Sequence, residues 1–293
     1  MIAPRKTADA LDLRALIAIL LGVALASLDT AIANTALPAI AADLHASPAA
    51  SIWVINAYQL AIVATLLPFA ALGDRLGPRR VFLAGLAFFT VASLGCAFAS
   101  TLPALAIARA LQGIGASGVM SVNIALIQLI FPASRLGRGV GLNALVVGVS
   151  FALGPTIASL LLSVASWPWL FAINVPLGML ALAFALPALP RAAARDHRFD
   201  WLTAVLTALS FAALVLALGA AAQGEPLSMT LTALGVALVS ASLLLWRQAG
   251  HPAPIPKTLK SEARRPKAER RPRAEIRRPK PEAERGSVFG LRI

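Results

Sequence analysis

The chain is poor in charge, in thiols and in histidine, and each shortage narrows what it can be. Charged side chains are 13% of its 293 residues while hydrophobic ones are 58%, about half the charge of an ordinary soluble domain. That balance, with a mean hydropathy of +0.78, excludes a water-soluble globule and points to a chain that crosses a membrane several times. The single cysteine, Cys96, excludes an intrachain disulfide and a thiolate metal cluster. Lying in an apolar run, it is expected to pack as a small buried hydrophobe. His45, His197 and His251 sit far apart in polar connections, where solvated imidazoles are expected rather than metal ligands or a pH sensor. No apolar run carries paired carboxylates or a nucleophile with a partnered histidine. Neither an enzyme, nor a cofactor, nor a metal site is therefore expected.

Charge is also missing in long blocks. Residues 52–72 and 81–102 carry none, and about 20 such residues suffice to cross a bilayer as a helix. Eight spans are expected near 13–35, 52–72, 81–99, 102–131, 140–164, 169–189, 201–221 and 229–246. In the first, Ala24, Leu25 and Ala26 resemble a signal-peptidase site, but the apolar run continues through Ala36, so the segment is expected to be retained. Connections alternate in charge. Arg75, Arg79 and Arg80 follow the second span, Arg135 and Arg138 the fourth, Arg191, Arg195 and Arg198 the sixth, and Arg247 the eighth. The opposite connections hold Asp43, His45 and Glu225 and no Lys or Arg. Basic loops resist translocation, so the arginine-rich side and both termini are expected in the cytoplasm, in a cell (plasma or inner) membrane. Trp53, Trp167, Trp169, Trp201 and Trp246 fall at span ends and read as interfacial anchors.

The sharpest break in the pattern is Gly73, Asp74, Arg75, Leu76, Gly77, Pro78, Arg79 and Arg80. Its two glycines and proline are expected to end one helix and start the next. Two charges instead fall well inside spans, Asp29 and Arg109. Counting about 1.5 Å per residue puts both roughly 10 Å beneath the same membrane face, in reach of one cavity. An unpaired charge there is costly. Either the two form a static ion pair between helices, or Asp29 is a protonatable carboxylate tuned by Arg109 and by a cationic ligand. Beside Arg109, Gly113, Gly115 and Gly118 spell G-x-G-x-x-G inside an uninterrupted helical run. A dinucleotide site needs that string between a strand and a helix, so the glycines read as a close-packing face. Gly148, Ser150, Gly154, Ala158 and Ser159 suggest the same for the fifth span, with a kink at Pro155.

In this order the motifs resemble the major facilitator superfamily, in particular its fourteen-helix drug:proton antiporters. Residues 28–38, LDTAIANTALP, are similar to that family's span-one motif, and 53–58 to the start of its second span. Residues 72–80, LGDRLGPRR, resemble its loop motif between spans two and three. Arg109, Gln112, Gly113 and Gly115 resemble its span-four motif, Gly154 with Pro155 its antiporter motif, and Trp167, Phe171, Asn174, Pro176 and Gly178 the start of span six. Ala70, Pro78 and the pair Ala158 and Ser159 depart from the usual residues. The resemblance, over about 14–254, implies an all-α membrane protein: a six-helix bundle (14–190) after a short cytoplasmic segment (1–13), then two additional helices (191–250). It implies proton-coupled efflux of small hydrophobic or cationic compounds, with Asp29, Arg109 and Gln112 coupling proton to substrate. Gly73, Asp74, Arg75, Gly77, Arg79 and Arg80 would form a cytoplasmic gate, and Gly148, Gly154 and Pro155 the helix-packing antiporter element.

Residues 251–293 break the apolar pattern. They hold 13 of the 26 Lys and Arg but 5 of the 13 acids, and repeat RRPKAE, RRPRAE and RRPKPE. Such a segment cannot bury a core and is expected to be disordered. It reads as a tail drawn to anionic lipid, a nucleic-acid arm, or the product of a changed frame or early stop removing a second half, the last being favoured. Aromatics are absent between Trp246 and Phe289, which argues against specific nucleic-acid recognition. The other class of function consistent with these features is a membrane-anchored interaction protein whose basic tail binds lipid or another chain. The exported compound and the oligomeric state have no signature in the sequence.

Overall fold

The computed structural model describes residues 12–191, 200–222 and 226–249. Among them every regular element is a helix: α1 (Leu13–Asp43), α2 (Pro48–Ser51), α3 (Trp53–Leu76), α4 (Pro78–Ala97), α5 (Leu102–Ile130), α6 (Leu136–Val164), α7 (Pro168–Ala172), α8 (Asn174–Ala188), α9 (Trp201–Ala222) and α10 (Leu227–Ala249). Eight segments are long and apolar enough to cross a membrane, with α2 continuing into α3 and α7 into α8. The protein is a multi-pass membrane protein, a six-helix bundle joined by two further spans. The basic tail, the first eleven residues, Arg195, Arg198, His197 and Glu225 lie outside the described residues.

Three of the helices, α1, α2 and α5, start where the sequence supplies a side-chain acceptor for their free N–H groups. Asp12 accepts from Ala15 N at 3.2 Å, Ser47 from Ala50 N at 3.2 Å, and Thr101 from Ala104 N at 3.4 Å. Several run further than hydropathy alone suggests. The first continues eight residues past Thr35 to Asp43, carrying Pro38 inside it, and α6 begins at Leu136 so that Arg138 is helical. The expected break over Gly73–Arg80 shrinks to one residue. Gly73, Asp74 and Arg75 lie in the last turns of α3, and Gly73 is buried against Val122. Only Gly77 leaves the helix, at φ 91° and ψ 138°. That backbone is one an L-residue rarely adopts, and Pro78, at the first position of α4, needs no N–H there.

Helices α4 and α5 form the most extensive contact and α3 with α5 the next, followed by α1 with α6. The G-x-G-x-x-G string makes this closeness possible. A Cβ on Gly85 would lie 2.8 Å from both Gly115 O and Gly118 Cα, so the α4 and α5 backbones touch. On α6, Gly154 meets Ala31 of α1, and Ala158 is fully buried. Gly148 corrects the expectation. It is exposed and a Cβ there meets nothing within 4 Å, because its face of α6 turns away from α1. Pro155 and Ser159 are exposed as well.

The buried apolar residues fall into two clusters. One gathers Ala15 to Ala26 of α1 with Phe82, Phe89, Val119, Leu126 and Ala181. The other gathers Ile32 to Ile40 of the same helix with Val54, Cys96, Leu105, Leu170 and Phe171. Between them, on each helix, lies a polar residue. Helix α9 packs against α3, and α10 is joined to α9 and to Asp200 by side-chain hydrogen bonds. Ser210 Oγ donates to Ser240 Oγ at 2.9 Å, and Arg247 donates twice to Asp200, at 3.1 Å each. The Thr203 hydrogen bonds, then Arg247, hold the Asp200 carboxyl well below the usual carboxylate range. This contribution is present above the ordinary carboxylate pKa of about 3.9 and lost only as pH falls through the lower folded value. The pair is half-exposed and therefore worth little in energy.

The tryptophans divide. Trp169 and Trp246 are exposed as expected of anchors, at 60% and 79%. Trp167 is not an anchor but a buried tie. Its Nε1 donates to Asp43 Oδ2 at 2.7 Å, and its ring meets Phe171 edge to face at 6.2 Å. Trp53 is half-buried, against α9, and the Trp201 side chain lies outside the described residues. Gly115→Ala should lower the thermal unfolding midpoint in detergent, by an overpacking cost of about 1–3 kcal/mol. Gly148→Ala should not lower the midpoint and should raise it slightly, since the added methyl meets nothing and alanine is the better helix former.

Candidate functional site

The polar residues between the two apolar clusters meet at one point. Asp29 projects from α1, Ser93 and Cys96 from α4, Arg109 and Gln112 from α5, and Asn174 from the first position of α8. All six are buried. Arg109 and Gln112 are three residues apart on α5 and so share a face. Asn174 reaches the site because Pro176 has no N–H to give the Ala172 carbonyl, and the chain breaks into α7 and α8 at Ile173.

Arg109 Nη1 donates to Asp29 Oδ2 at 2.5 Å and to Gln112 Oε1 at 2.5 Å, and Arg109 Nε donates to Val54 O at 3.3 Å. The other carboxylate oxygen, Asp29 Oδ1, accepts from Gln112 Nε2 at 2.9 Å and from Asn174 Nδ2 at 2.6 Å. Gln112 Nε2 also donates to Ser93 Oγ at 2.8 Å, and Cys96 Sγ donates to Gln112 Oε1 at 3.4 Å. The guanidinium carbon stands 4.0 Å from the Tyr58 ring centroid and 5.5 Å from that of Phe171, so its π-face is covered too. Tyr58 is tied in turn to Ala26 O of α1 at 3.2 Å. Asp29 thus has three donors and no described acceptor, the setting of an ionised carboxylate.

Sequence reasoning placed Asp29, Arg109 and Gln112 together, and the structure does so. The sequence left open an ion pair between helices or a carboxylate at a shared cavity; the structure shows Asp29 and Arg109 paired in the interior, at 2% and 1% exposure, where each charge offsets the cost of burying the other. Asn174 and Tyr58 were visible only as parts of resembling motifs, and Ser93 was missed, since a serine in an apolar span has no local signature. Cys96 is buried as expected, yet its thiol also serves Gln112.

The loop motif is not part of this site. Asp74, Arg75 and Arg80 are exposed and make no ion pair among the described residues. Arg79 Nη2 donates to Leu186 O at 2.5 Å and joins α4 to the end of α8, while its buried Nε has no partner among the described residues. Among those residues no three His, Cys, Asp or Glu side chains gather as a metal would require.

An eight-span helical chain with one buried carboxylate–guanidinium centre has the features of a membrane carrier rather than a soluble binding module. Residues 19–281 match the family described as the Major Facilitator Superfamily, and the chain belongs to that superfamily. It is 49% identical over 258 residues to the "Uncharacterized transporter YebQ" of Escherichia coli K12, covering 86% of this chain and 56% of that one. It is 37% identical over 226 residues to the "Putative multidrug resistance protein MdtD" of Escherichia coli O157:H7, with 76% and 48% covered. Over 176 residues it is 36% identical to the "Riboflavin transporter RibZ" of Clostridioides difficile, with 60% and 39% covered. The chain therefore spans about half the length of the curated relatives it matches. Its fold is similar to that of the proton:xylose symporter XylE, at a TM-score of 0.54 and 15% identity, covering 82% of this chain and 53% of that one.

Removing one partner of a buried pair leaves the other uncompensated, a cost of about 3–5 kcal/mol. Arg109→Leu should therefore lower the unfolding midpoint sharply, and adding Asp29→Leu should recover part of the loss. A double-mutant cycle of midpoints checks this, and additive single effects would show that the two do not interact.

Proposed function

We propose that this chain supplies the proton-coupling bundle of an exporter of small hydrophobic or cationic compounds. Asp29 is the group that exchanges a proton, Arg109 holds it ionised while the site is shut, and Gln112 fixes the geometry of the pair. The observation that carries this reading is the sealed carboxylate whose described hydrogen-bond partners are all donors. Protonation removes its charge and so the pull on Arg109, giving the bundle two arrangements that differ by one proton. Similarity to a putative multidrug resistance protein supports the substrate class. Rocking access needs a facing wall around a midplane site, and the described residues form one six-helix bundle, so a second bundle completes the path. Asp74, Arg75 and Arg80 are exposed on either side of the junction at Gly77, which supports a role for them as a gate against such a bundle. Gly154 supports tight seating of α6 on α1.

In everted vesicles from cells expressing the chain together with a second bundle that completes the path, an imposed proton gradient should drive movement of a lipophilic cation such as ethidium. Asp29→Asn should reduce that rate at least about tenfold, as expected for loss of an intramembrane proton site. Undiminished gradient-driven movement in Asp29→Asn would remove the assignment.

The arginine-rich connections are proposed to face the cytoplasm of the cell membrane. Cys96 is the only cysteine and is buried, so single cysteines report orientation. Arg80→Cys should react with an impermeant maleimide only from the cytoplasmic side and His45→Cys only from the other. The reverse pattern would invert the topology.

A further inference from the structure

We propose that Asn174 is the positioning residue that receives the proton on Asp29, by turning its carboxamide so that Oδ1 accepts from the protonated carboxyl. The inference rests on the reading of Asp29 as the proton-exchanging group. A proton arriving from water at Asp29 Oδ1 converts an acceptor into an O–H donor, and that donor needs an acceptor in a sealed site. The charged or titratable groups that face Asp29 are Arg109 from α5, Tyr58 from α3 and Cys96 from α4. Arg109 can only donate. Tyr58 donates to Ala26 O and Cys96 to Gln112 Oε1.

Two neighbours carry an acceptor that a half-turn could present, Gln112 and Asn174, and the structure separates them. Gln112 is held on four sides. Its Oε1 receives Arg109 Nη1 and Cys96 Sγ, and its Nε2 serves Asp29 and Ser93. Turning it would set its NH2 against two donors and its oxygen against Ser93 Oγ, whose own hydrogen goes to Phe89 O at 2.8 Å. Asn174 makes a single described side-chain hydrogen bond, the one from Nδ2 to Asp29 Oδ1. Its Oδ1 is not engaged by any described residue, so a turn costs no second contact. It also sits at the break between α7 and α8. Gly178, one turn further on, packs tightly against Thr90 of α4 and fixes the helix behind it.

The turn reverses the direction of the α1–α8 hydrogen bond without breaking it. Protonation therefore weakens the hold of Asp29 on Arg109 while the α1–α8 hydrogen bond is kept. The Asn174 amide and the Asp29 carboxyl change together, and infrared spectroscopy sees both.

The test is a pH-difference infrared spectrum of the full chain in detergent, taken between an acidic and an alkaline buffer. The wild type should show a protonated carboxyl band, absent in Asp29→Asn, together with a side-chain amide band. In Asn174→Leu the carboxyl band should persist but move to higher frequency, as for a carboxyl that has lost its acceptor, and the amide band should vanish. A second measurement needs no variant: labelling asparagine with 15N should shift the amide band of the wild-type spectrum. An unmoved carboxyl band in a folded Asn174→Leu, or an unlabelled-like spectrum from the 15N protein, overturns the proposal while leaving Asp29 as the titrating group. Absence of any Asp29-dependent carboxyl band overturns the reading beneath it as well.

Discussion

A carboxylate and a guanidinium cannot sit bare in the middle of an apolar bundle, and this structure is arranged around meeting that demand. Asp29 needs three donors, and they come from two helices other than its own, Arg109 and Gln112 on α5 and Asn174 on α8. Arg109 needs acceptors and a cover for its face, and finds them in Asp29, Gln112, the Val54 carbonyl and the Tyr58 ring. The polar centre therefore ties α1, α3, α4, α5 and α8 at one level. Apolar packing above and below it is divided into two clusters by this layer.

The close approach of the backbones serves the same end. With Gly85, Gly115 and Gly118 in contact, α4 lies near enough to α5 for Ser93 and Cys96 to reach Gln112. A side chain at those glycines would separate the helices and leave the carboxamide of Gln112 short of partners, with the charge pair less firmly held. Helix packing in lipid has little hydrophobic driving force of its own. Small residues at the seam and hydrogen bonds at the centre thus act together.

Sequence likeness and structure carry different weight for function. Membership of the superfamily rests on a match over most of the chain, while the structural neighbours, at 15% identity, speak to the fold alone. The chain spans about half of its curated relatives, so transport is a property argued for an assembly with a second wall. What this bundle contributes is a buried charge pair in which Asp29 accepts from three donors and Arg109 donates through Nε and Nη1.

Eight apolar runs, their alternation in basic residues and the isolation of Asp29 and Arg109 were all legible in the sequence, because each depends only on composition along a stretch of about 20 residues. Gln112 was marked only by the resemblance of the span-four motif, and its three-residue spacing from Arg109 puts the two on one helix face. Tertiary structure alone decided the rest. Trp167 looked like an interfacial ring until Asp43, 124 residues away along the chain, was seen to accept its N–H. Gly148 looked like Gly154, yet only the latter faces α1, and helix rotation is set by neighbours rather than by the residue itself. Ser93 and Asn174 carry no local mark of their role, because satisfying a buried charge depends on which helices meet and at what height, and hydropathy along one chain does not encode that.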